Sequence, residues 1–167
     1  MKNKYFEVNF DSKIVTDFLK SQLKALDEDF PKLMKLARVI MKEIVDENFE
    51  TEGVHTGEKW KEWSDSWKKK RLAMGKSTGR ILNLDGTLRR SILADSGHDW
   101  ARVGTNKVYA AIHNYGGNSA LKHNKTMPKR EFMRLDKPAM ENLYGELYVL
   151  AKELLIDKEI KKKVYGE

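Results

Sequence analysis

Four histidines, His55, His98, His113 and His123, are the side chains best suited to metal ligation or general-base work. No two of them stand three or four residues apart, the spacing that puts both rings on one helix face for a metal. His55 has Glu52 and Glu58 three residues away and His98 has Asp95, yet Gly53, Gly57 and Gly97 place both in turns, where such spacing says little. His113-Asn114 and His123-Asn124 come nearest to a His-Asn nuclease pattern. That segment holds no carboxylate for a metal, which weighs against a small metal-dependent nuclease. His113 is instead expected to hydrogen-bond backbone through its ring at the end of a short helix. Gly75-Lys76-Ser77-Thr78-Gly79 contains the G-K-S of a phosphate loop, but position 70 is lysine where the motif needs glycine, and Lys68 to Arg71 stand where an apolar strand should precede it. With no cysteine, disulfides, thiolate catalysis and cysteine-ligated zinc are all excluded.

Charge offers a second kind of chemistry. Ten lysines and arginines lie between Lys59 and Arg90 against Glu62, Asp65 and Asp85, an excess equal to the formal +7 of the whole chain. Such a segment attracts polyanions or an acidic protein face in a salt-dependent way and carries no sequence specificity. Trp60, Trp63 and Trp67, interleaved with Lys59, Lys61 and Lys68, could stack on bases as in single-strand binders. Burial of at least two of these indoles against a neighbouring helix is the competing expectation, because exposed tryptophan is rare. Their spacing fits one helix face, while Gly57 leaves Trp60 open to lying in extended chain.

The elements that position these groups follow from periodicity. Asp11 or Ser12 can cap a first helix reaching about Ala25, with Ile14, Val15, Phe18, Leu19 and Leu23 on one side. Pro31 opens a longer helix whose apolar stripe is Leu33, Leu36, Ala37, Ile40, Met41, Ile44 and Val45. A helix from Asp65 to Met74 ends at Gly75. Asp85 or Thr87 caps a short turn that should point Leu84 and Leu88 inward and Arg89 and Arg90 outward. Ile92 to Asp95 and Trp100 to Val103 are strand candidates joined by a turn at Ser96-Gly97-His98-Asp99. A short helix with Val108, Tyr109 and Ile112 then stops at Gly116-Gly117, where positive φ is needed. The stretch from Asn118 to Thr126 is expected to leave the fold as a loop carrying Lys122, His123 and Lys125. Met127-Pro128 returns the chain, and Phe132 and Leu135 lead into a last helix opening near Asp136 and Pro138. Its stripe is Met140, Leu143, Tyr144, Leu147, Leu150, Ala151, Leu154 and Leu155.

The fold expected is α+β: two N-terminal helices, a small antiparallel sheet with short helical turns, and a C-terminal helix packed on it. A chain of 167 residues suits one domain. Within it, 1–52 is helical, 53–135 holds the sheet, 136–158 is a closing helix and 159–167, with Lys161-Lys162-Lys163, is a frayed end. No apolar run approaches the roughly 20 residues that span a bilayer, and Met1 to Tyr5 lack the apolar stretch of a signal peptide, so the chain is expected to stay where it is made.

Three stretches carry a family resemblance. Ile81-Leu82-x-x-Asp85-Gly86-x-Leu88-x-x-Ser91-Ile92, then Val103-Gly104-Thr105-Asn106-x-x-Tyr109-Ala110-x-Ile112-His113-Asn114-x-Gly116-Gly117, then Met127-Pro128-x-Arg130-x-Phe132, resemble the phage virion morphogenesis family of tail-completion proteins. The likeness runs from about Gly57 to Leu135. Asp85 stands where the family usually has threonine, and the segment before Met127 is shorter than in many relatives.

The resemblance implies a structural protein that completes the tail or joins it to the head, with no catalysis, no cofactor and no metal. It implies assembly in the bacterial host cytoplasm into the virion. The partners it implies are tail or head-tail connector proteins, with a homo-oligomeric ring on assembly, no membrane, and at most weak nonspecific DNA binding. Gly86, Leu88, Gly104, Tyr109, Ile112, His113, Gly116, Gly117, Met127, Pro128, Arg130 and Phe132 are then mainly structural. Arg89, Arg90, Lys122, His123 and Lys125 are the candidate partner contacts, since exposed guanidinium can pair bidentately with a partner carboxylate. The alternative function is a nucleic-acid-binding module using residues 59–90.

Overall fold

The computed structural model describes residues 12–76, 79–119 and 125–166. Asp11, Ser77, Thr78, Lys122 and His123, each named above, lie outside them.

Helix α1 spans Ser12–Asp27 and α2 spans Phe30–Glu50. Pro31 sits in the first turn of α2, where its missing N–H is no loss. The stripe turns out as its spacing requires: Leu33, Ala37, Ile40, Ile44 and Val45 are buried, extended by Asn48 and Phe49. Two apolar clusters share this one helix. Val45 and Phe49 meet Trp60, Ile81, Leu88, Ile92, Ala110 and Phe132 at its C-terminal end. Ala37, Ile40 and Ile44 meet Ala139 and Leu143 of the last helix, which spans Lys137–Tyr165.

Beyond α2 the chain makes a 3-10 turn at Val54–Thr56 and runs outside helix and strand until α3, Asp65–Ala73. Trp60 lies in that irregular stretch, buried edge-on against Phe49 with ring centroids 5.6 Å apart. Trp63 is half-buried, and the buried Arg71 of α3 stacks its guanidinium 4.2 Å from the Trp63 ring centre. Only Trp67 is helical, so the indoles do not share a helix face.

Helix α4 spans Thr87–Arg90, and strands β1 (Leu93–Ser96) and β2 (Ala101–Gly104) pair antiparallel, Leu93 opposite Gly104 and Ser96 opposite Ala101. Both strands begin one residue later than expected and lie against α2. Trp100 is 42% exposed at the turn instead of sitting in the strand. Helix α5 spans Ala110–Tyr115 and is followed by β3 (Gly117–Ser119) and β4 (Lys125–Met127). These pair antiparallel, Gly117 opposite Met127 and Ser119 opposite Lys125. The loop expected from Asn118 to Thr126 is therefore partly strand, Asn118 and Ser119 lying in β3 and Lys125 and Thr126 in β4, and the α+β class holds with two two-stranded sheets among the described residues.

The last helix, α6, is 29 residues long, about 43 Å. Asp136 caps it by accepting the Ala139 N–H at 3.0 Å. Of the expected apolar stripe Leu143 is buried, Met140, Leu147, Leu150, Ala151, Leu154 and Leu155 are half-buried, and Tyr144 alone departs, at 60% exposure, so the helix closes the core along its length to Leu155. The 159–167 segment does not fray at its start. Lys161 pairs with Asp157 one turn back at 2.7 Å, no helix breaker intervenes, and the helix stops at Gly166 with φ of 69°.

Candidate interaction surface

Asp85 accepts the Thr87 N–H at 2.9 Å, and Gly86 takes φ of 75° to start α4. That amide bond holds the Asp85 carboxyl below the usual carboxylate range. Leu88 is buried as expected, but Leu84 is 39% exposed. Arg89 points back onto α2, where it reaches Asp46 at 3.5 Å and also pairs with Glu50. Arg80 binds the other oxygen of Glu50 and Lys42 the other oxygen of Asp46, making a five-residue ion network across α2 and the α4 region. Arg90 is exposed and curls over Gly86, donating to the Asp85 carbonyl at 2.7 Å. Both candidate arginines thus have partners within the chain, Arg89 two carboxylates and the more exposed Arg90 a backbone carbonyl.

The second half of the surface is built on α5. Ala110 and Asn114 face inward, and the Asn114 side-chain oxygen accepts the Met133 N–H at 3.0 Å. Ile112 is half-buried and lies outside the central apolar cluster. Gly116, with φ of 71°, turns the chain into β3. A Cβ there would sit 2.8 Å from the Lys129 backbone nitrogen, so glycine is a steric requirement at this position. Gly117 also has positive φ, at 130°. Gly104 ends β2, and Met127 and Pro128 are half-buried where the chain returns.

Arg130 is buried at 4% exposure and serves as a clamp. Its Nε donates to the Lys61 carbonyl at 2.8 Å and its Nη2 to the Glu62 carbonyl at 3.2 Å, tying the tryptophan segment to the chain that follows β4. Its own N–H donates to the His113 carbonyl at 2.9 Å. The expected ring-to-backbone bond of His113 is not made: its carbonyl is the bonding group, and Nδ1 is buried without a partner among the described residues. The ring lies edge-on to Tyr109 at 6.0 Å. Burial, and then the Arg130 charge, push the imidazole down from its ordinary value, so it stays neutral.

Asn48 was invisible to periodicity. It is fully buried, its Nδ2 donates to the carbonyls of Phe132 (3.3 Å) and Arg134 (3.0 Å), and its Oδ1 accepts from Thr56 at 2.9 Å. The signal available was its place three residues after Val45 and four after Ile44, inside the apolar stripe.

What this scaffold leaves outside is a set of exposed apolar and basic side chains. Val108, in the turn before α5, is 96% exposed, Tyr115 at the end of α5 is 72% exposed and Tyr109 40%, so the helix expected to hold Val108 and Tyr109 starts only after them. Lys125 belongs to β4. From the 59–90 segment, Lys59, Lys61, Lys69, Lys70, Lys76 and Arg90 are exposed, while Lys68 pairs with Glu62 at 2.8 Å. Among the described residues no three histidine, aspartate or glutamate side chains converge as a metal site would need, and no helix is long and apolar enough to cross a membrane.

The structure thus combines buried polar clamps inside with exposed apolar and basic side chains outside. The chain matches the phage virion morphogenesis family over residues 10–148 and belongs to it, so the likeness takes in both N-terminal helices and the start of α6. Protein G of Escherichia phage Mu, named for capsid assembly, is 41% identical over 93 residues, 55% of this chain and 60% of that protein. The G protein 1 of the Mu-like prophage FluMu in Haemophilus influenzae is 30% identical over 142 residues, 83% of this chain and 90% of that one. FluMu G protein 2 is 31% identical over 103 residues, covering 64% of its length. No solved structure gives a significant match.

Proposed function

We propose that this chain is a structural, non-catalytic component of a phage or prophage virion that acts in tail completion or head-tail joining. The observation that supports it most is the division of labour between the motif residues and the positions among them that the motif leaves unspecified. Gly86, Leu88, Gly116, Arg130 and Phe132 build turns, core and clamp, whereas Val108, Tyr115 and Arg90 are left for other proteins. A buried arginine bound to carbonyls suits a rigid scaffold, and a large exposed valine beside a tyrosine suits a docking face.

The name of the Mu relative favours a second reading, a step in building the head. Complementation separates the two. Val108→Glu/Tyr115→Glu in a gene-deleted prophage is expected to leave the melting temperature unchanged and to yield complete heads with unattached tails. Loss of the heads themselves would favour the capsid reading, and normal virions would remove this face from the proposal.

A further inference from the structure

The outer side of α6 carries a pattern that the single chain does not use. Glu146, Val149, Glu153, Ile156, Ile160 and Lys163 follow one another at spacings of three, four, three, four and three, the seam of a two-stranded coiled coil. All six are exposed, Val149 at 52%, Ile156 at 46% and Ile160 at 53%. Beyond Lys158, whose Nζ reaches Asp29 at 2.8 Å, every residue through Gly166 is exposed. The seam thus continues onto a stretch of helix that extends about 10 Å past this tie.

Charge selects the occupant. Were two such helices to pair in parallel, Glu146 and Glu153 would each face their own copies. In antiparallel pairing Glu146 faces Lys163 of the second copy, Val149 faces Ile160, and Glu153 faces Ile156. Every layer occurs twice by symmetry. Lys152 and Glu159, exposed on one flank of the seam, also oppose each other in this arrangement. We infer that α6 pairs two copies of this chain as an antiparallel dimer through its outer face. The seam is short and holds one misplaced carboxylate, Glu153. Its area falls below the roughly 800 Å² per partner of stable interfaces, so pairing is weak, with Kd on the order of 10 to 100 μM. The inference does not depend on where in the virion the protein acts.

Sedimentation velocity over a concentration series tests it on the full chain, with circular dichroism monitoring the fold. Glu146→Lys and Lys163→Glu should each weaken dimerisation several-fold, and the double exchange should restore it. These positions lie 17 residues apart on one helix, about 25 Å, so the rescue cannot arise within one copy. Glu153→Leu should tighten the dimer. The absence of cysteine permits a check of direction: Val149→Cys mixed with Ile160→Cys should form the crossed disulfide. A chain that stays monomeric to about 100 μM overturns the inference and assigns the face to a different protein. Single variants that weaken pairing without rescue by the double, or a preference of Val149→Cys for its own kind, also overturn it.

Discussion

Replacing Asn48 with alanine should cost more stability than any other single polar substitution in the chain. Three hydrogen bonds converge on this fully buried side chain from Thr56, Phe132 and Arg134, joining α2, the 3-10 turn and the segment before α6. Alanine strands two carbonyl oxygens and a hydroxyl and opens a small void. With each stranded group costing about 1 to 3 kcal/mol and partial relaxation, the loss is about 4 kcal/mol. For a chain of this size that lowers the melting temperature by about 10 °C. Thr56→Val removes only the 2.9 Å bond and should cost about 1 to 2 kcal/mol. The two effects should fall short of additivity by about 1 kcal/mol, because they share that bond. Urea denaturation of the two single variants and the double measures all three quantities. An Asn48→Ala loss below about 1 kcal/mol would refute the reasoning, since the carbonyls would then have found water or other donors.

Three further outcomes are expected. Phe132→Ala should cost about 3 to 5 kcal/mol and Gly116→Ala about 1 to 3, whereas Ile112→Ala should cost only about 1, since its side chain is half-buried; chemical denaturation ranks them. Asp29, held below its ordinary value by Lys158 and then Lys32, contributes stability that is complete above about pH 4 and is lost as pH falls through its lower folded-state value; Asp29→Asn should flatten that acid limb of the melting curve. Duplex DNA binding through residues 59–90 should be nonspecific and vanish between about 50 and 200 mM salt, and a sequence-selective complex at physiological salt, read by mobility shift, would instead support the nucleic-acid module.

The parts legible in the sequence were those with strong local periodicity or sharp chain-breakers. The α2 stripe, the Asp136 cap and the glycine stop after α5 each rest on residues within a few positions of one another. The second ribbon was not legible, because Gly117-Asn118-Ser119 and Lys125-Thr126-Met127 lack strand-forming alternation; a positive-φ turn and the close approach of Lys129 set its geometry. Helical continuation through Lys161 to Lys163 was hidden because a lysine run reads as a solvated end, and only its pairing to Asp157 argues otherwise. The largest misses were long-range polar bonds. Arg89 finds Asp46 across 43 positions and Arg130 finds Lys61 across 69, partnerships that no local pattern announces. They bear directly on the interaction surface, for Arg89 moves toward a structural role and Arg90 stays available. Arg89→Glu alone should therefore lower stability by about 1 kcal/mol, while Arg90→Glu should change it little.

Electron microscopy of lysates from an induced prophage with this gene deleted, beside the same strain complemented in trans, tests the central claim most directly. Complete heads and complete or near-complete tails that fail to join are expected, with joined particles restored by the wild-type chain. Infectious, fully joined virions in the deletion strain would contradict it.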